Sequence, residues 1–289
     1  MAASTRRGRA AAWWAGACAA LALAFLATGP AGAAAAGAGK GKAPTADKSK
    51  PADKGKAAAP AKPTSPREIL DYVDDLYRGA SARGKMTMKV VTEHWTREMA
   101  LEFWSKGEDR SLVRILSPAK DKGTASLKSG KDMWNYLPKV KRVVKVPSSM
   151  MGGSWMGSHF TNDDLVKESR MADDYTFKTT FEGKRGAAEV IEITCIPKKD
   201  AAVVWGKVVV TVRSGDYLPL SLVSYDEGLK LARTMTFSDV RTLGGRTVPS
   251  RMLMVPADKP KESTTVIYTE IEFEAPISDD VFSIRTLSR

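Results

Sequence analysis

The stretch Gly84-Lys85-Met86-Thr87-Met88-Lys89-Val90-Val91 decides the fold. Met86, Met88 and Val90 alternate with Thr87, Lys89 and Val91. Period-two alternation marks a strand with one face in a core. Upstream the period is different. Ser65-Pro66-Arg67-Glu68 reads as a capping box with Pro at the first helical position. Ile69, Leu70, Val73, Leu76 and Tyr77 follow at helical spacing, with Asp71, Asp74 and Asp75 on the polar face. The pattern predicts one amphipathic helix ending between Arg78 and Gly84.

Downstream the strand pattern continues. Met99, Leu101 and Phe103 alternate, and strand-like runs recur at 112–116, 124–128, 134–137, 143–146, 175–181, 190–196, 208–212, 218–225, 229–237, 248–255 and 266–273. That makes about a dozen strands. Lys106-Gly107-Glu108, Ser129-Gly130, Glu182-Gly183, Ser214-Gly215-Asp216, Asp226-Glu227-Gly228 and Gly244-Gly245 punctuate them. Regular spacing predicts an antiparallel meander, hence a curved sheet or barrel. Asp279-Asp280-Val281-Phe282 reads as a terminal helical turn that packs Val281 and Phe282 on the sheet.

The middle of the chain breaks the pattern. Pro147-Ser148-Ser149-Met150-Met151-Gly152-Gly153-Ser154-Trp155-Met156-Gly157-Ser158-His159-Phe160 has neither period, and Thr161-Asn162-Asp163-Asp164-Leu165-Val166 reads as a capped helical turn. Long segments without regular structure often serve as lids or binding loops. Met and Trp suit varied apolar shapes. A loop that plugs one end of the core fits the same composition.

The N-terminus reads as an address. Arg6, Arg7 and Arg9 precede an apolar run over 10–28, and small residues follow at Ala31, Gly32 and Ala33. This order predicts a secretory signal peptide over 1–33 and export to the periplasm. A retained anchor and a lipidated Cys18 are the competing readings. Residues 34–64 are almost entirely Ala, Gly, Lys, Pro, Ser, Thr and Asp, which predicts a disordered tether. The tether fits either attraction to peptidoglycan or anionic lipid, or a solubilising spacer. Residues 65–289 remain as one domain large enough for a sizeable core.

The chain has 289 residues and a net charge of +12. Residues 1–64 hold three Arg and seven Lys against two Asp, a charge of +8. Residues 65–289 hold 35 basic and 31 acidic groups, only +4, which argues against a nucleic-acid partner. With Cys18 in the signal peptide, Cys195 is the domain's one thiol. It alternates with Ile191 and Ile193, as a packing residue does.

No pattern carries catalysis. His159 lies near Asp163 and Asp164 but has no second His at ligand spacing. Ser149, Ser154 and Ser158 lie near His159 without a G-x-S-x-G elbow. His94 lies beside Trp95 between two strands. Asp163-Asp164 and Asp173-Asp174 read as helix caps and solvated charges, and Lys139-Val140-Lys141-Arg142 as a hairpin face. No cofactor or metal is expected, and the chain reads as a non-enzyme.

Three stretches together carry a resemblance: Leu116-Ser117-Pro118-Ala119-Lys120-Asp121-Lys122-Gly123-Thr124, then Met133-Trp134-Asn135-Tyr136-Leu137-Pro138-Lys139 with Arg142, then residues 149–165. They resemble the family of outer-membrane lipoprotein-sorting proteins, distant relatives of the LolA/LolB carriers. The resemblance covers most of 65–289. His159 stands where an acidic residue is expected, and the Lys/Ala tether lies outside the pattern. The resemblance implies a mainly β fold: a strongly curved antiparallel sheet forming an unclosed half-barrel, with helices covering an apolar concave face. It also implies a carrier that binds acyl chains of lipoproteins or lipids, with an inner-membrane transporter and an outer-membrane acceptor as partners. An accessory subunit of an RND-type lipid exporter and an RseB-like sensing module are the alternatives. The candidate lining or gating residues are Trp134, Tyr136, Met150, Met151, Trp155, Met156 and Phe160, with 150–160 as a mobile gate.

Overall fold

The Ser65 hydroxyl accepts from the Glu68 N–H at 3.3 Å, and the Glu68 carboxylate accepts from the Ser65 N–H at 3.2 Å. This reciprocal cap starts helix α1, Pro66–Asp75, whose buried face is Ile69, Leu70 and Val73. The computed structural model describes residues 63, 65–77, 79–166, 171–201 and 203–288. The expected signal peptide, and the tether apart from Pro63, lie outside the described residues. Helix α1 ends earlier than its spacing predicts. Tyr77 is already held elsewhere: its hydroxyl donates to the Pro249 carbonyl at 2.8 Å, and its ring stacks on Tyr268 at 5.9 Å.

Thirteen strands follow: β1 Ser81–Val91, β2 Thr96–Lys106, β3 Arg110–Ser117, β4 Ala125–Ser129, β5 Asp132–Leu137, β6 Arg142–Lys145, β7 Tyr175–Arg185, β8 Ala188–Pro197, β9 Lys207–Arg213, β10 Pro219–Tyr225, β11 Leu231–Leu243, β12 Arg246–Pro256 and β13 Ser263–Phe273. They form one antiparallel sheet in the order β6-β5-β4-β3-β2-β1-β13-β12-β11-β10-β9-β8-β7. Every neighbour is a sequence neighbour except β1 and β13. The strands β6 and β7 are consecutive in sequence yet form the two opposite edges, so the sheet stays open as a half-barrel. The chain between them must cross from one edge to the other.

Curvature has a local cause. Register shifts interrupt the pairing at Lys85/Met86, Ala100/Leu101, Thr179/Phe181 and Ser224/Tyr225. Such bulges increase the local twist. Just before the first shift, a Cβ on Gly84 would lie 2.1 Å from the Glu270 carbonyl oxygen and 2.9 Å from the Phe103 ring. Only glycine lets the backbones of β1 and β13 approach this closely.

The period-two pattern sorts the faces. Met86, Met88 and Val90 of β1 share the main core with Met99, Leu101 and Phe103 of β2 and Met252 and Met254 of β12. Burying each such side chain stabilises by roughly 1.5–3 kcal/mol. Cys195 is buried in the same core, and burial pushes its thiol up to about 12, as a packing thiol requires. The opposite face of β1 and β13 carries the exposed cross-strand pairs Arg83–Glu272 at 2.7 Å and Lys85–Glu270 at 2.9 Å.

A second, smaller core lies on the other side of the sheet. The 3-10 turn Asp279–Phe282 and helix Ile284–Leu287 bring Phe282 and Leu287 against Leu112, Ala125 and Leu127. The Asp279-Asp280 pattern foretells this turn, and both Val281 and Phe282 pack as expected.

Candidate binding site

Residues 146–165 of the crossing between β6 and β7 lie over the main core. Its first element is the 3-10 turn Ser148–Met150. Then the chain doubles back on itself, which the lack of a period did not foretell. The Asn162 N–H donates to the Gly153 carbonyl at 2.9 Å, Trp155 N–H to Phe160 at 2.8 Å and Ser158 N–H to Trp155 at 2.9 Å. Met156 and Gly157 at the tip have φ of 50° and 74°. Two consecutive positive φ values make the turn that joins a tight hairpin, and glycine at the second position favours it.

Four attachments tie this strap to strands along the sheet. The buried Trp155 indole N–H donates to the Ser126 hydroxyl of β4 at 3.1 Å, and that hydroxyl donates to Asn135 Oδ1 of β5 at 2.7 Å. Arg97 of β2 donates to the Met156 carbonyl at 3.1 Å while pairing with Asp121 at 3.0 Å. At β13 the His159 N–H donates to the Thr264 hydroxyl at 3.0 Å, His159 Nδ1 lies 2.8 Å from the same oxygen, and Nε2 lies 3.0 Å from Glu262 Oε2. With Thr264 donating to Nδ1, Nε2–H donates to the carboxylate. The His159 hydrogen bond, foremost, holds the Glu262 carboxyl below its ordinary range.

The fourth attachment is an ion pair. Thr161 and Asp164 cap each other at 2.8 and 3.1 Å and start helix α2, Asn162–Val166. Asp164 is fully buried, and both its oxygens accept from Arg233 of β11, at 2.9 and 3.0 Å. The guanidinium lies over the Trp205 ring, 4.7 Å from its centroid. This corrects the reading of Asp164 as a solvated charge: its partner stands 69 residues away, where local spacing gives no hint. Asp173, on helix α3 (Met171–Asp174), behaves as expected, pairing with Arg67 at the surface at 2.8 Å.

Between the strap and the β4–β6 margin lies a cavity of about 300 Å³. Asn135, Leu137, Val144, Met150, Ser154 and Met156 form much of its wall. The wall is predominantly apolar, and its volume is at the lower end for small-molecule pockets. Among the described residues no His, Cys, Asp or Glu cluster is arranged to hold a metal ion.

The seven candidates fall into three groups. Met150 and Met156 line the cavity, Met150 at the surface with 59% exposure. Trp155 and Phe160 are buried in the main core, with Met151 partly buried against it. Trp134 and Tyr136 are not brought to the cavity; they pack on the opposite face with the C-terminal segment. Alternation along β5 explains this: Met133 faces the main core, so Asn135 and Leu137 share its side and Trp134 and Tyr136 do not. That period, applied within the strand, would have singled out Asn135, Leu137 and the facing Val144, which the sequence reading missed. Apolar residues on both faces of β5 hid the signal.

Comparison with known proteins follows the geometry. No curated protein matches the chain. Among solved structures it is similar to an outer membrane lipoprotein-sorting protein domain from Vibrio parahaemolyticus, at 24% identity and TM-score 0.66, covering 77% of this chain and 98% of that one. It is similar to a DUF1329 family protein from Desulfovibrio piger, at 21% identity and TM-score 0.68, covering 76% and 97%. A LolA superfamily protein from Nitrosomonas europaea matches at 19% identity and TM-score 0.64, covering 78% and 100%. The shared feature is the fold: an open, curved antiparallel sheet. Residues 107–289 match the model of a family described as "Uncharacterized protein". With more than half of its length matched, the chain belongs to that family, and it is built on the LolA-like fold.

Proposed function

We propose that the protein is a non-enzymatic carrier that shelters an acyl chain, of a lipoprotein or a lipid, in the periplasm. One observation carries the reading: an apolar, methionine-walled cavity lies between the strap and the open β6 margin of the sheet. The lipoprotein-sorting domain of the same fold supports the choice of cargo. An acyl chain leaving a membrane exposes apolar surface at a cost of about 0.8 kcal/mol per CH₂. Apolar walls replace the lost lipid contact. A cavity of about 300 Å³ has to widen for a long chain. The unbranched side chains of Met150 and Met156 can change rotamer to do so. The gate is thus the methionines at the cavity wall, with Trp155 and Phe160 as its buried anchors.

The test is mass spectrometry of organic extracts from the protein purified without detergent from its native envelope. Acyl lipid or lipoprotein at near-stoichiometric yield is expected. An extract free of acyl species, together with no uptake of added fatty acid, overturns the reading.

A further inference from the structure

We infer that the β5–β6 hairpin and the 3-10 turn after it form a docking surface for a bilayer carrying anionic headgroups. The side chains come first. Leu137 is 43% exposed, Val140 59%, Val144 44% and Met150 59%. All four fall within fourteen consecutive residues, at the margin of the sheet where β6 has no neighbour beyond it. An exposed apolar group of this kind marks an interaction surface.

Charge selects the partner. Residues 133–162 contain no Asp or Glu. Lys139, Lys141 and Arg142 stand exposed at the hairpin tip, shaped by the 3-10 turn Pro138–Val140 and by Lys141 with φ of 49°. Among the described residues no carboxylate pairs with these three cations. Lys145 differs, being paired with Asp132 at 2.8 Å. Exposed apolar side chains beside unpaired cations match an anionic membrane interface, where apolar groups enter the headgroup boundary and cations meet the phosphates.

The edge itself argues against a protein strand as the occupant. Strand β6 is only four residues long and carries Arg142 and Lys145, which discourage strand addition. Leu137, Val144 and Met150 belong to both the exposed group and the cavity wall, so the docked face and the cavity are continuous. This inference stands on exposure and charge and does not require the cavity to hold a lipid.

Co-sedimentation of the protein with phosphatidylcholine vesicles, with and without phosphatidylglycerol, tests it. Binding to the phosphatidylglycerol vesicles is expected. It should fall about a hundredfold when Lys139, Lys141 and Arg142 are all changed to Gln, at about fivefold per cation. Val140→Asp should weaken it as well, with thermal unfolding unchanged in both variants. Equal binding to both vesicle types overturns the inference. So does undiminished binding of the triple variant, which would assign the attraction to the N-terminal basic segment. Concentration-dependent dimerisation abolished by Val144→Asp, without vesicle binding, would assign the surface to a second copy instead. Acyl uptake that persists in the triple variant separates failure of docking from failure of the carrier reading.

Discussion

Asp164 and Arg233 form a two-pronged ion pair, 2.9 and 3.0 Å long, whose carboxylate is fully buried. It fastens the far end of the strap to β11. Removing one partner leaves the other charged and buried, which costs about 3–5 kcal/mol. Arg233→Met is expected to lower the unfolding free energy obtained from urea titration by that amount. Limited proteolysis within 146–174 should become faster than elsewhere. A loss below 1 kcal/mol would show that the pair does not hold the strap.

Trp155 serves the other end in two separable ways. Its indole N–H reaches Ser126 at 3.1 Å, and its ring is buried in the main core. Trp155→Phe removes the donor and keeps most of the apolar bulk, so a loss of about 1 kcal/mol is expected. Trp155→Ala also opens a cavity, with a loss of about 3–5 kcal/mol. Equal losses in thermal unfolding would mean that the hydrogen bond, not the buried ring, does all the work.

The attachment at β13 makes part of the stability depend on pH. The His159 hydrogen bond, foremost, holds the Glu262 carboxyl below its ordinary 4.5, against desolvation. The unfolded chain therefore binds this proton more readily than the folded one. The contribution is fully present above about 4.5 and is lost as the pH falls through the lowered value. Glu262→Gln keeps an acceptor for His159 and removes the titration. The variant should lose less stability than the parent on acidification, measured by urea unfolding at neutral and acid pH. Asp216, lowered chiefly by Arg213, and Asp279, lowered chiefly by Lys106, titrate the same way in both proteins. Identical pH slopes would remove Glu262 from the acid response.

Local patterns were legible in the sequence where the physics is local. The Ser65–Glu68 cap, the alternation of Met86, Met88 and Val90, and the Asp279-Asp280 turn each involve residues within a few positions. The pairing of β1 with β13 was not legible, because Met88 meets Val266 across a separation that no window spans. The same holds for Asp164 and Arg233. The orientation of β5 failed for another reason. Alternation reveals the inner face only when the outer one is polar, and the C-terminal segment makes the outer face around Trp134 and Tyr136 apolar too. The turn at Met156-Gly157 is locally encoded, with glycine at a position of positive φ, but the short arms on either side carry no period-two alternation that would mark a hairpin.

The central claim is that the cavity between strap and β6 holds an acyl chain. Val144 lines it from the edge strand and is 44% exposed, outside the buried core, so a larger side chain there is expected to leave the core undisturbed. The decisive measurement is the affinity of a fluorescent fatty acid for the parent and for Val144→Trp, with unfolding midpoints compared. At least a tenfold loss is expected, about 1.4 kcal/mol, with an unchanged midpoint. Saturable binding of equal affinity in both proteins would contradict the claim, as would a parent protein that binds no probe.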